Sequence, residues 1–160
     1  MRQRAVLVAL GLVVLALAVT VGVLGRRLVV AQQSDAAATA ATRAAQELTP
    51  VLLTYDWRTL DADTTRIDAA TTGPFAAQNR AIVASLVVPA ALETRASSAA
   101  TVERVAVLSA APDRVETLVL YTQVTRREGD PTGTREARGA RVALAPDDED
   151  RWLVAGFDAL

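Results

Sequence analysis

Twenty consecutive residues, Ala5 to Leu24, are Ala, Val, Leu or Gly with a single Thr, and no charge falls between the arginines at 2 and 4 and those at 26 and 27. At ~1.5 Å of helix rise per residue, such a run crosses a hydrocarbon core about 30 Å thick once. It is predicted to be a membrane span. A cleavable signal also starts with a basic end and an apolar run, but that run is about 7 to 15 residues long and leads into small residues. Here the run is closed by Arg26 and Arg27, and only Val29-Val30-Ala31 resembles a cleavage site. Each flank carries two arginines, so the added charge of the amino terminus decides the orientation: N-terminus cytoplasmic, remainder outside.

Beyond the span the polar and apolar positions change period twice. Residues 26 to 53 read as helix, with Ala36 to Ala45 nearly all Ala, Thr and Arg. That composition favours helix without offering bulk to bury, as in a stalk. Leu48, Val51, Leu52 and Tyr55 then recur at spacings of three and four, one helical face directed at a core. Pro50 interrupts it, either kinking a continuous helix, the favoured reading, or opening a new one capped by Thr49. A helix is expected to start near Asp61 and to run to about Thr72, where Gly73 stops it and Pro74 opens another. In that next helix Phe75, Ile82, Val83, Leu86, Val87 and Pro89 form the apolar face, with Pro89 bending or shortening it.

After Ser98 the pattern becomes that of strands. Thr101 to Ala110, Val115 to Thr125, Arg138 to Ala145 and Trp152 to Phe157 are the predicted four, separated by turns at Ala111-Pro112-Asp113, Glu128 to Gly133 and Pro146 to Asp150. Helices followed by an antiparallel meander give an α+β domain in which helices cover one face of a curved sheet. This is the order of the cystatin-like, nuclear-transport-factor-2-like cone. Three parts are expected: residues 1–27 as tail and transmembrane anchor, 28–47 as helical stalk, and 48–160 as an extracytoplasmic cystatin-like domain.

Composition narrows the chemistry. All 17 basic residues are Arg, and beyond Arg27 thirteen of them face all 18 acids, a balance of about −5 with no dense basic patch. Nucleic-acid binding, which needs a clustered positive face, is disfavoured. The chain has no Cys and no His, so thiolate metal sites, imidazole ligands and His-based triads are absent, and no cofactor or metal is expected. The densest chemistry is Tyr55-Asp56-Trp57-Arg58-Thr59-Leu60-Asp61-Ala62-Asp63, with two of the six large aromatics and three carboxylates from Asp56 to Asp63. Asp61 and Asp63 suit the first turn of a helix better than a metal site. Tyr55 and Trp57 read as core aromatics at a helix-helix corner. The acids 147 to 150 lack the spacing of a calcium loop and read as a solvated tip.

The block Leu52 to Asp63, following an Ala-rich helix after a single span, resembles the signature region of the actinobacterial Mce-associated membrane proteins. Gly73-Pro74-Phe75, Val87 to Ala91, Pro112-Asp113-Arg114 and Arg151-Trp152-Leu153-Val154 are similar to that family as well, and Trp57 stands where the family would carry Tyr or Phe. The resemblance marks Tyr55, Asp56, Trp57 and Asp61 as a structural signature. It implies a non-enzymatic accessory subunit of an Mce-type lipid or sterol transporter in the plasma membrane, whose partners are Mce subunits or other envelope membrane proteins and, through residues 5–24, the bilayer.

Two other classes stay open. An assembly scaffold of a secretion or conjugation apparatus shares the single-span topology. A ligand-binding or catalytic cone would rely on Asp56, Asp158, Tyr55 or Tyr121, the acids and phenols suited to a pocket. In the span itself Gly11, Ala18 and Gly22, with Gly25 just beyond, fall on one helix face, where small residues let another helix approach closely.

Overall fold

The computed structural model describes Arg26 and residues 30–160. The expected span at residues 5–24 and its small-residue face at Gly11, Ala18, Gly22 and Gly25 lie outside the described residues. Helix α1 (residues 30–53) comes first. Its positions 37, 41, 44, 45, 48 and 52 recur at helical spacing, and they form one stripe. Ala37, Ala41, Ala44 and Ala45 are buried, with Leu48 and Leu52 packed beside them, against Val115, Val119, Val142, Leu144 and Val154 of the sheet. This corrects the expectation of a stalk with nothing to bury. Lack of bulk is what lets the helix lie close on the sheet, so the core begins at Ala37.

Helix α1 continues through Pro50 rather than restarting there. Pro50 falls in the last turn, so the missing N–H costs the helix one bond, to the Gln46 carbonyl. Its neighbour Thr49 is completely buried and its hydroxyl has no hydrogen-bond partner. A buried hydroxyl without a partner is destabilising, whereas an isosteric methyl is not. Thr49→Val is therefore expected to raise stability by about 1 kcal/mol, read as a higher midpoint in chemical denaturation.

The sheet has five strands in sequential order: β1 (Tyr55–Asp56), β2 (Ser97–Ala111), β3 (Arg114–Arg127), β4 (Asp130–Pro146) and β5 (Trp152–Ala159), every neighbouring pair antiparallel. Four were expected. The extra one, β1, is two residues long, too short to display an alternation, and it is held by register with Ser97 and Ser98. Strand β2 is open along most of its outer edge, and its bulges at Val102/Arg104 and Val107/Ser109 interrupt the flat template that edge pairing needs.

The stretch Glu128 to Gly133, expected to be a loose loop, is instead a tight turn with β4 already begun, Arg127 pairing with Asp130. The residues that suggested a loop are absorbed by one bulge between Thr125 and Arg127. Gly133 has φ +66, and a Cβ there would stand 2.7 Å from the Thr125 carbonyl oxygen. Asp130 Oδ1 completes the feature by accepting from Thr132 Oγ1 at 2.7 Å and the Gly133 amide at 3.1 Å. Gly133→Ala is expected to cost about 2 kcal/mol, measured by thermal melting, while an alanine at Gly129 (φ +84), where nothing lies within 4 Å, meets only the backbone penalty.

Helix α2 (Leu60–Ala69) ends earlier than predicted, because Thr71 and Thr72 run alongside β5. The Thr72 amide donates to the Val154 carbonyl at 2.9 Å and the Val154 amide to the Ala70 carbonyl at 3.0 Å. Helix α3 (Gly73–Ile82) passes through a π-turn (Val83–Val87) into helix α4 (Val88–Thr94). Pro89 does not shorten this helix, since the wider turn before it accommodates the ring and the missing N–H. The helix closes at Arg95, whose φ of 46 is left-handed, with the Ala96 amide donating to the Ala91 carbonyl at 2.9 Å. Its predicted apolar face is largely uncovered: Phe75 reaches the core, but Ile82 and Leu86 are exposed. The place on the sheet is already filled by the alanine stripe of α1.

Candidate functional site

The signature block turns the chain from α1 into β1 and then α2, and Asp63 holds that corner together. Its carboxylate is 2% exposed. Oδ2 accepts from the Asp56 amide at 2.8 Å and from Thr59 Oγ1 at 2.9 Å, while Oδ1 meets the Arg66 guanidinium. Burial opposes the charge, but the Asp56 amide, Arg66 and Thr59 outweigh it and hold the carboxyl below its ordinary range. Asp61, two residues earlier, is exposed in the same first helical turn. The two acids therefore play different parts, and sequence reasoning grouped them. The available signal was Thr59 at the helix start with an acid four residues on, able to reach back to unpaired amides.

Tyr55, expected to continue the apolar face of α1, lies instead beyond the end of that helix and is half-buried with Asp56 on β1. Burial raises the Tyr55 phenol above its usual value, with nearby Arg127 acting in the opposite direction. Asp56 Oδ1 accepts from the Arg58 amide at 2.9 Å. Trp57 is not the core aromatic expected. It stands outside the apolar cluster, its amide bonded to the Ala96 carbonyl, its ring flanked by the Arg58 and Arg95 guanidinium groups at 4.7 and 5.4 Å. Arg95 also pairs with Glu128 at 2.6 Å. The corner thus joins a strand to a helix rather than two helices, and it faces outward.

The four residues considered for pocket chemistry do not converge. Tyr55 and Asp56 border one hollow of about 260 Å³, Tyr121 another of about 520 Å³ together with Leu120, Gly139 and Leu160, and Asp158 lies exposed on β5 opposite Arg141. Tyr121 is buried, its phenol raised by that burial, and its ring tilts against Phe157 with centroids 6.4 Å apart. Between α1 and the sheet the buried side chains form one apolar cluster.

The uncovered helix is the other notable surface. Among the described residues, Gly73–Thr94 is one helix long and apolar enough to cross a membrane, with 22 residues and mean hydropathy 1.4, and 11% of its most apolar window is buried. Both ends are tied into the domain, through Phe75 on the core and the Arg95 cap, so it reads as a domain helix with a free apolar face. Leu86 is 64% exposed and Leu92 54%. Two hollows flank Val88. One of about 300 Å³ runs beside Ile67, Arg80 and Val83, and one of about 350 Å³ beside Trp57, Leu60 and Leu92. Arg80 crosses the first to grip Asp68 through Nε at 2.9 Å and a second nitrogen at 2.8 Å, fixing α3 against α2.

No protein-family model matches the chain. Two curated relatives, uncharacterized proteins Rv1362c and MT1407 of Mycobacterium tuberculosis, are each 34% identical over 127 residues, 79% of this chain. The chain spans 57% of the length of these relatives. Among solved structures, the periplasmic domain of DotI has a TM-score of 0.64 at 10% identity, covering 76% of this chain and 94% of that one. CagV, a VirB8 homolog of the Helicobacter pylori type IV secretion system, has a TM-score of 0.59 at 7% identity over 76% and 96%. An IcmL-like type IV secretion system protein from Legionella pneumophila has a TM-score of 0.59 at 12% identity over 74% and 88%. At such identities the likeness is one of fold, and the α+β cone expected from element order is the fold they share.

Proposed function

We propose that this protein is a non-enzymatic assembly scaffold of a multi-subunit machine in the cell envelope, of the kind that secretion or conjugation systems build. In this reading residues 5–24 anchor it in the plasma membrane with the N-terminus inside, the domain stands outside the cytoplasm, and its partners are other envelope subunits. The observation that carries it is the apolar face of Gly73–Thr94, left open on a domain whose fold is that of DotI and CagV. Large apolar side chains left exposed along one helix, here Ile82, Leu86 and Leu92, mark sites where proteins meet. The dispersed positions of Asp56, Asp158, Tyr55 and Tyr121 support a role without catalysis. The fold likeness moves the weight from the transporter reading of the sequence to this one.

The accessory-subunit reading for an Mce-type lipid or sterol transporter is kept as the second, because the Leu52 to Asp63 block favours it and the matched relatives are mycobacterial. Both readings use the same surface. A photo-crosslinking residue placed at Leu86 or Leu92 of the full chain in its native cells is expected to capture an envelope subunit, while one at exposed Arg135 on β4 is not. Adducts of equal yield at all three positions, or none, would contradict the proposal, and the captured subunit's identity separates the two machines.

A further inference from the structure

The two ends of the sheet carry opposite charge that the chain does not neutralise. Where β3 closes on β4, Arg126 and Arg127 are exposed, and among the described residues neither has a carboxylate at ion-pair distance. They border a hollow of about 180 Å³ that also includes Trp57 with its two flanking arginines. Of the two acids that line it, Glu128 is paired with Arg95, while Asp130 accepts from Thr132 and Gly133 and lies in the field of Arg127 beyond ion-pair distance, so the four arginines outnumber the acids of the hollow. At the far end the β4–β5 turn is a preformed knob. Asp147 Oδ1 accepts from the amides of Glu149 at 3.0 Å and Arg151 at 2.9 Å, and the Asp147 amide donates to the Arg151 carbonyl at 2.9 Å. Arg151 itself is held by Asp147 at 2.6 Å and Glu149 at 3.3 Å. That leaves Asp148 and Asp150, with Asp113 in the adjacent β2–β3 turn, exposed and without a basic partner among the described residues. From Val115 to Arg126 a strand rising ~3.3 Å per residue spans about 36 Å. That is several times the Debye length of about 8 Å at physiological salt. Neither end can satisfy the other within one copy.

We propose that the acidic β4–β5 knob of one copy seats in the arginine and tryptophan pocket of the next, so that the domain assembles head to tail. Donor and acceptor surfaces are different patches, which makes the contact heterologous and builds a ring or an open chain rather than a two-fold dimer. Forked guanidinium groups suit carboxylates, and the stacked Trp57 shields part of the contact from water. The test reads association of the purified full chain in detergent micelles by sedimentation velocity, and so does not depend on which machine it serves. Association is expected to rise with concentration and to weaken at least tenfold between about 0.05 and 0.5 M salt. R126E/R127E and D113R/D148R are each expected to lose it while melting like the parent, and an equal mixture of the two is expected to regain it. A monomer at every concentration, variants that associate like the parent, or a mixture that stays apart would overturn the proposal. Loss in R126E/R127E alone would overturn it too, by pointing to an acidic surface of the second copy other than the knob.

Discussion

Asp63→Ala is expected to destabilise the domain by about 3 kcal/mol, a drop in melting midpoint on the order of 10 °C. The change removes the acceptor of the Asp56 amide and the Thr59 hydroxyl and leaves a buried donor unsatisfied at the corner where α1, β1 and α2 meet. Asp61→Ala, one position pair away but exposed, removes only a favourable charge at the helix start and is expected to cost a few tenths of a kcal/mol. The acid dependence follows from the same contacts. The folded carboxyl sits below its ordinary range, so near and below pH 4 the unfolded chain binds the proton more readily than the folded one. The stabilisation is present in full above the unfolded value and is lost as pH falls through the folded one. Denaturation midpoints of parent and D63A should therefore converge as pH is lowered below about 4. Partly buried Asp147 and exposed Asp130 are also held low, by Arg151 and by Thr132 respectively, but they are common to both proteins and cancel in the difference.

Ala41→Leu is the second large effect, about 2 to 3 kcal/mol. Ala41 is completely buried between α1 and the sheet, so added carbons must push the helix off Val119 and Val142 or force strained rotamers. Ala40→Leu, on the exposed side of the same turn, is expected to change stability by less than about 0.5 kcal/mol. Were residues 36 to 45 a free stalk, both leucines would be harmless. Equal melting curves for the two variants would return this helix to the role its composition first suggested.

That contrast shows how far the sequence carried. The order of elements was legible because the long segments have clear patterns: alternation in Arg138 to Ala145, a β-prone run apolar on both faces in Val115 to Thr125, three-and-four spacing in Leu48 to Leu52. The alanine stripe was not, although 37, 41, 44, 45 and 48 sit at helical spacing, because alanine is the common currency of helix propensity and carries little signal of burial. Strand β1 was missed for want of length. The turn at Glu128 was misread because Pro131 and Gly133 look like breakers, and only a partner strand shows that a bulge absorbs them. The uncovered helix followed from competition: its periodicity predicts an apolar face, and periodicity does not say that another helix already occupies the sheet. At the corner, Trp57 was seen but placed in the core, since its arginine neighbour at 95 is far away in sequence and reaches it only through a left-handed residue at the end of α4.

In the proposed role the domain serves as a docking body for envelope subunits. Its most direct test is in-cell crosslinking of the full chain in native membranes, followed by purification and quantitative mass spectrometry. Enrichment of a fixed set of membrane subunits from one machine is expected, secretion or conjugation components first and Mce-type transporter components on the second reading, with loss of that set when Leu86 and Leu92 are both changed to Glu. Recovery of the protein with no enriched partner, or of the same set from the doubly charged variant, would contradict it.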